Sequence, residues 1–146
     1  MKTNNFIIIH HTATNKDKTT LTAINRVHQK WFNYKSSLGW YIGYHYFISG
    51  NGIIRQTRRN DDYGVHCRAD NMNAKSIGIC LAGNFEIEQP SEKQLISLKK
   101  ILERLKKDFN IKNENILGHR EVIGAKTACP GKFFLKWIKQ YRIESI

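Results

Sequence analysis

The chain has 146 residues and a formal net charge of +12, from 24 lysines and arginines against 12 aspartates and glutamates. This length fits one domain with its own core, and no stretch of the sequence approaches the ~18 apolar residues that cross a membrane. The positive charge favours an anionic partner, such as nucleic acid, an anionic membrane or the bacterial cell wall, but it does not choose among them.

The N-terminal region shows no secretory signal. The apolar run at residues 6–9 is too short for the core of a signal peptide, and two histidines follow it at once. We therefore expect synthesis in the cytoplasm. If the substrate lies outside the cell, release or delivery by another factor must bring the protein to it.

The first half of the chain predicts a strand, a helix and a hairpin. Residues 6–9 predict a strand buried on both faces. Residues 21–31 carry an apolar stripe at helical spacing that includes His28, and Thr19 or Thr20 precedes them as a cap. Residues 41–48 are mainly aromatic and β-branched and lead into an Asn-Gly turn, which predicts a hairpin.

The second half predicts two further strands and two helices. Ser76–Leu81 is a short apolar strand. Ser91 and Gln94 form a capping box ahead of the clearest amphipathic helix. A brief strand at residues 116–117 precedes a last helix that starts at Pro130.

The order of these elements predicts the fold class. It is strand, helix, hairpin, strand, helix, strand, helix, with no repeat or linker. This order predicts an α/β fold, in which residues 1–146 form a single domain with a central mixed β-sheet flanked by helices. The apolar stripe of the first helix, with His28, and the aromatic residues of the last helix, Phe133 among them, are expected to face inward.

Three histidines and a cysteine lie at predicted strand and loop ends. His10 and His11 end the first strand, where neighbouring side chains point to opposite faces, so at most one of them faces a given site. His119 follows a strand, and Cys129 closes the next loop. Imidazole and thiolate are good zinc ligands, and three of them leave one position open for chemistry. The spacing is not a compact motif, so structural histidines and a buried thiol remain the alternative.

Four segments of the chain carry a recognisable pattern. They are IIIHHTAT at 7–14, GYHYFI at 43–48 with an Asn-Gly turn, GVHC at 64–67 with SIGICLAGNF at 76–85, and GHREV at 118–122 with TACPG at 127–131. Together, and in this order, they resemble the zinc-dependent N-acetylmuramoyl-L-alanine amidases of the phage lysozyme and peptidoglycan recognition protein family. The matches span nearly the whole chain, although no single one of them is specific.

The resemblance implies a zinc site. His10, His119 and Cys129 match the family's metal ligands, and His11 takes a variable position. Tyr44 matches the tyrosine that faces the zinc and can donate a hydrogen bond to an oxyanion; without the resemblance it would be assigned to the core.

For several other positions the sequence leaves more than one structural role open. Pleat parity in the predicted strand puts Tyr44 and His45 on opposite faces, so the two cannot serve the same pocket. His66 lies in a loop and either lines the substrate cleft or is a structural histidine. Cys67 and Cys80 are expected to be buried free thiols.

The loop before Cys129 departs from the phage pattern. Phage members of the family place a lysine two residues before the cysteine, and catalytic recognition proteins place a threonine there. In this chain the position is Thr127, and Lys126 stands one residue earlier. Counting back from Cys129 predicts that Thr127 faces the zinc and that Lys126 points to solvent, although the long loop leaves room for Lys126 to swing in.

The activity implied by the resemblance is hydrolysis of the amide bond between N-acetylmuramic acid and L-alanine in bacterial peptidoglycan. Cys80 stands on a strand where cytoplasmic recycling amidases carry a glutamate, which places the chain nearer the phage and recognition-protein branches. The expected cofactor is zinc, and the expected role is that of a monomeric phage-type endolysin.

Two other classes compete with this hydrolase. The first is a module that binds peptidoglycan without cutting it, but the complete ligand set favours catalysis. The second is a nucleic-acid binder, suggested by the charge of +12, but the sequence lacks any known nucleic-acid-binding motif.

Overall fold

The computed structural model describes residues 1–145. Its strands and longer helices follow the predicted order. The strands and helices are β1 (Phe6–His11), α1 (Leu21–Trp31), β2 (Tyr46–Ile48), β3 (Ile54–Gln56), α2 (Met72–Lys75), β4 (Ser76–Leu81), α3 (Glu92–Phe109), β5 (Ile116–Gly118) and α4 (Lys132–Glu144). The short helix α2, which the sequence did not predict, precedes β4. Among residues 1–145, no helix is long and apolar enough to cross a bilayer.

The strands form one mixed sheet in the order β3-β2-β4-β1-β5. Strand β1 runs parallel to β4 and β5, β2 runs parallel to β4, and β3 pairs with β2 in the antiparallel direction. The central strands β1 and β4 are almost wholly buried, as their continuous apolar runs predict. The α/β fold with a central mixed sheet and flanking helices is therefore confirmed.

Different clusters of apolar residues pack against the two faces of the sheet. Ile7 and Ile9 of β1 pack with the apolar residues of α3 and α4 in the main core. Ile8 points the other way and packs with Met72 and Val122 in a smaller cluster. Alternation along β1 therefore places His10 on the same face as Ile8, away from α3 and α4.

Helix starts follow the predicted capping chemistry. Ser91 Oγ accepts from the Gln94 backbone N–H at 3.1 Å, and the Gln94 side chain accepts from the Ser91 N–H at 3.0 Å, which completes the capping box. At α1 the cap is Thr20, whose hydroxyl accepts from the Ala23 N–H at 3.2 Å. The choice between Thr19 and Thr20 is thereby resolved.

Four sequence-based expectations need correction. Regular pairing covers only Tyr46–Ile48 of the strand predicted at residues 41–48, because the strand ladder is interrupted before it; the Gly43 N–H, for example, donates to the side chain of His28, at Nδ1. Helix α4 begins at Lys132 rather than Pro130, and Phe133 is 37% exposed. The stripe of α1 does not enter the core: Trp31 is 73% exposed, and only His28 is buried in this helix.

Candidate metal centre and substrate groove

Two neighbouring parallel strands place the two candidate histidine ligands. Ile9 of β1 pairs with Gly118 of β5, so the next residues, His10 and His119, lie side by side at the same edge of the sheet. Their ring centroids are 4.7 Å apart. Glu121 fixes the turn after β5, because its carboxylate accepts from the Gly118 N–H at 2.9 Å.

Cys129 closes this group from the following loop. Its carbonyl accepts from the Arg120 N–H at 2.8 Å, and its thiol accepts from the His11 backbone N–H at 3.4 Å. His10 Nδ1 lies 3.6 Å from Cys129 Sγ. The potential ligand atoms of His10, His119 and Cys129 all lie within 4.8 Å of one another.

The protonation states of these groups suit a metal. Burial lowers the pKa of His10 well below its usual value, with further lowering by His119 and other histidines, and burial also lowers the pKa of His119. Both imidazoles are therefore neutral at neutral pH, and each has a nitrogen free to act as a ligand. Burial raises the pKa of the Cys129 thiol to about 12, so a bound cation would have to displace its proton. Two nitrogens and one sulfur fit the donor set of zinc.

Three other histidines are held by the backbone and take no part in this group. The Nδ1 atoms of His11, His28 and His45 each accept a backbone N–H, from Phe85 at 3.0 Å, from Gly43 at 2.9 Å and from Gly78 at 3.0 Å. His11 thus turns away from His10, as strand parity predicts.

Tyr44 stands beside the candidate ligands. Its ring centroid is 5.0 Å from that of His10. Burial raises the pKa of Tyr44 well above its usual value, and Cys80 and Cys129 raise it further. The hydroxyl therefore keeps its proton at neutral pH and can act as a donor. The ring of His45 contacts the backbone of Gly78 and Asp62 instead, and regular strand pairing reaches neither Tyr44 nor His45.

Arg58 supports the segment that carries Tyr44, and the sequence analysis did not single it out. Its side chain is fully buried, and its Nε donates to the Ile42 carbonyl at 2.7 Å. Thr57 Oγ1 donates to the Tyr44 carbonyl at 2.7 Å. A lone arginine after a short strand carries no signal of burial, so only the fold reveals this role.

The structure favours one of the two alternatives that the sequence leaves for His66, the structural histidine rather than the residue that lines the cleft. In the structure its ring is buried behind His10, with His66 Nδ1 at 2.9 Å from His10 Nε2 and the Ser76 hydroxyl at 3.4 Å from its Nε2. Both ring nitrogens therefore face protein atoms, and His66 is not among the residues that line the groove beside Tyr44.

Thr127 and Lys126 are both exposed. Thr127 Oγ1 accepts from the Cys129 N–H at 3.1 Å, so this hydroxyl supports the backbone of the cysteine. The expectation that Lys126 points to solvent agrees with its exposure. That Thr127 faces a zinc stays a prediction.

A groove of about 440 Å³ begins at Tyr44 and runs along α1. One wall is the exposed apolar stripe of α1, with Ile24, Val27 and Trp31, and His28 lies among them. The lining also includes polar residues from the segment before α1, namely Thr12, Thr14, Asn15, Lys18 and Thr19. The stripe that sequence periodicity assigned to the core therefore lines an open surface next to the candidate metal centre.

Comparison with known proteins identifies the family. A family model described as N-acetylmuramoyl-L-alanine amidase matches residues 1–132. Peptidoglycan-recognition protein SC2 of Drosophila melanogaster is 35% identical over 128 residues, which cover 86% of this chain and 67% of that protein.

Solved structures agree with this assignment. The N-acetylmuramoyl-L-alanine amidase LysC from Clostridium intestinale has a TM-score of 0.79 at 32% identity, with 95% of this chain and 85% of that chain covered. Drosophila PGRP-LB has a TM-score of 0.77 at 27% identity, with 97% and 82% covered. The chain belongs to the N-acetylmuramoyl-L-alanine amidase family, which includes the peptidoglycan recognition proteins.

Proposed function

We propose that this protein is a zinc-dependent amidase that hydrolyses the bond between N-acetylmuramic acid and L-alanine in bacterial peptidoglycan. The observation that carries the proposal is the group formed by His10, His119 and Cys129, whose ligand atoms lie within 4.8 Å of one another. Three protein ligands of this kind leave a position open for substrate, which is the arrangement of a catalytic site rather than of a structural one.

Each residue has a distinct part in this proposal. Zinc, when bound, polarises the scissile carbonyl and lowers the pKa of a water molecule towards ~7. His10, His119 and Cys129 hold it at the sheet edge. Tyr44, whose pKa is raised by burial, donates its proton in a hydrogen bond to the oxygen on which negative charge develops.

Thr127 is the second candidate for contact with the reacting oxygen. Its hydroxyl already accepts from the Cys129 N–H, so its own proton is free to be donated. We propose Thr127 for this part rather than Lys126, because the short link to Cys129 holds Thr127 near the metal centre, whereas Lys126 has a long flexible stem.

The groove next to Tyr44 suits the stem peptide. An extended peptide can place apolar side chains against the α1 wall and hydrogen-bond to the threonines that also line the groove. The net charge of +12 favours encounter with an anionic wall.

We also propose the role of a phage-type endolysin acting as a monomer. The similarity to the endolysin LysCS of Clostridium intestinale, with a TM-score of 0.79 and 31% identity, supports that role.

Removal of the metal tests whether the protein cuts the wall or only binds it. We expect that a chelator stops the loss of turbidity of a purified wall suspension and that added zinc restores it, because the ligand set is complete. Sedimentation with the wall should continue in the chelator. A zinc-loaded protein that sediments with the wall but never clears it would instead be a recognition module.

A further inference from the structure

A chain of hydrogen bonds leads from the candidate metal centre into the protein. It runs from His10 through His66 and Ser76 to the carbonyl of Met72. His10 Nε2 and His66 Nδ1 are 2.9 Å apart, His66 Nε2 and Ser76 Oγ are 3.4 Å apart, and Ser76 Oγ donates to the Met72 carbonyl at 2.6 Å. Nothing in the proposed function above uses His66 or Ser76.

The direction of every bond follows from the carbonyl at the far end. A carbonyl can only accept, so the single hydroxyl proton of Ser76 is donated to Met72. Ser76 must then accept from His66, which places the His66 proton on Nε2. A neutral imidazole carries one proton, so with that proton on Nε2 the Nδ1 atom of His66 has a lone pair, and at 2.9 Å it accepts from His10 Nε2–H.

The last bond determines which nitrogen of His10 is free. With its proton on Nε2, a neutral His10 has its lone pair on Nδ1. Nδ1 is also the nitrogen that faces Cys129 Sγ, at 3.6 Å. The tautomer that the chain imposes is therefore the one that presents a ligand atom to the metal centre.

The surroundings of His66 hold its ring in this position. A Cβ atom at Gly78 would lie 2.6 Å from His66 Cδ2, and one at Gly64 would lie 2.4 Å from the same atom, so only glycine leaves room for the ring on both sides. The His66 backbone N–H donates to Asn73 Oδ1 at 2.8 Å. The ring is thus confined on two sides, and its backbone is fixed.

We infer that His66 is a positioning residue that sets the tautomer and orientation of His10 for zinc, with Ser76 fixing the tautomer of His66 in turn. The inference rests on the proposed zinc site. Partners of this kind typically contribute about 10- to 100-fold to metal affinity, because they order the ligand before the metal arrives.

A matched pair of substitutions tests this inference through zinc affinity, measured by competition with a chromophoric chelator. His66→Leu fills a similar space without an acceptor, and we expect about 10- to 100-fold weaker zinc binding. His66→Asn keeps an oxygen near the place of Nδ1, and its affinity should lie within about tenfold of the wild type. Equal affinity in the leucine variant and the wild type would overturn the inference.

The tautomer can also be read directly in the unaltered protein, which keeps the test independent of whether a variant folds. Long-range proton–nitrogen NMR correlations of the zinc-loaded wild type should show His66 protonated at Nε2 and His10 at Nε2. A proton on His66 Nδ1 would overturn the inference while leaving the zinc site intact. A wild-type protein that binds no zinc would overturn both this inference and the proposed function.

Discussion

Cys129→Ser is expected to lower zinc affinity by more than about 100-fold and to abolish hydrolysis of the wall. A ligand that bonds the metal directly should contribute more than the ~10- to 100-fold of a residue that acts through a ligand. Serine keeps the size of the side chain, but its hydroxyl is a poor substitute for thiolate. Zinc content after dialysis and the rate of wall clearing measure the two effects.

Cys67→Ser is the matched control for this substitution. Cys67 is likewise a free thiol, and it is buried, but its thiol contacts the Ala69 carbonyl at 3.8 Å, and it lies outside the proposed ligand group. A serine hydroxyl can donate to the same carbonyl, so zinc content and activity should be retained. If Cys129→Ser kept its zinc as well as Cys67→Ser does, Cys129 would not be a ligand.

Tyr44→Phe is expected to slow hydrolysis by ~100-fold or more while the zinc stays bound. The change keeps the ring beside His10 and removes only the hydroxyl. A donor aimed at a developing oxyanion typically contributes about 100- to 1,000-fold to the rate, and the raised pKa of Tyr44 means that its proton is present throughout the neutral range. The measurement is the turnover rate at saturating wall concentration, together with zinc content.

Tyr46→Phe serves as the control two residues away. The Tyr46 hydroxyl donates to Asn60 Oδ1 at 2.9 Å, so its loss should lower the free energy of unfolding by about 1 kcal/mol and leave the turnover rate unchanged. Equal rates for Tyr44→Phe and the wild type would return Tyr44 to a packing role. A similar fall in rate for both variants would point to a general disturbance of the β2 segment.

The sheet and the positions of the candidate ligands follow closely from the sequence. Continuous apolar runs identified β1 and β4, and the capping box at Ser91 located the start of α3, because these signals arise within a few neighbouring residues. Strand parity also separated His10 from His11. The grouping of His10 with His119 and Cys129 came from the family resemblance, since their separation in the chain carries no local signal.

The features that could not be predicted from the sequence depend on tertiary contacts. Helical periodicity shows that α1 has an apolar face, but it does not show whether that face packs in the core or lines a groove. Here the face with Trp31 lines the groove. The strand predicted across Tyr44 was wrong in extent because Gly43 bonds to His28 rather than to a neighbouring strand. His66 can lie behind His10 only because Gly64 and Gly78 both leave room for its ring. These two glycines lie in different segments of the chain, so no sequence pattern indicates that they contact the same residue.

Mass spectrometry of purified peptidoglycan digested by the zinc-loaded protein tests the central claim most directly. Membership of the N-acetylmuramoyl-L-alanine amidase family, together with the zinc site and the Tyr44 donor, predicts free stem peptides that begin with L-alanine, alongside glycan strands that carry no peptide. Muropeptides that keep their bond to N-acetylmuramic acid at full zinc occupancy, or fragments cut within the peptide or the glycan, would contradict the assignment.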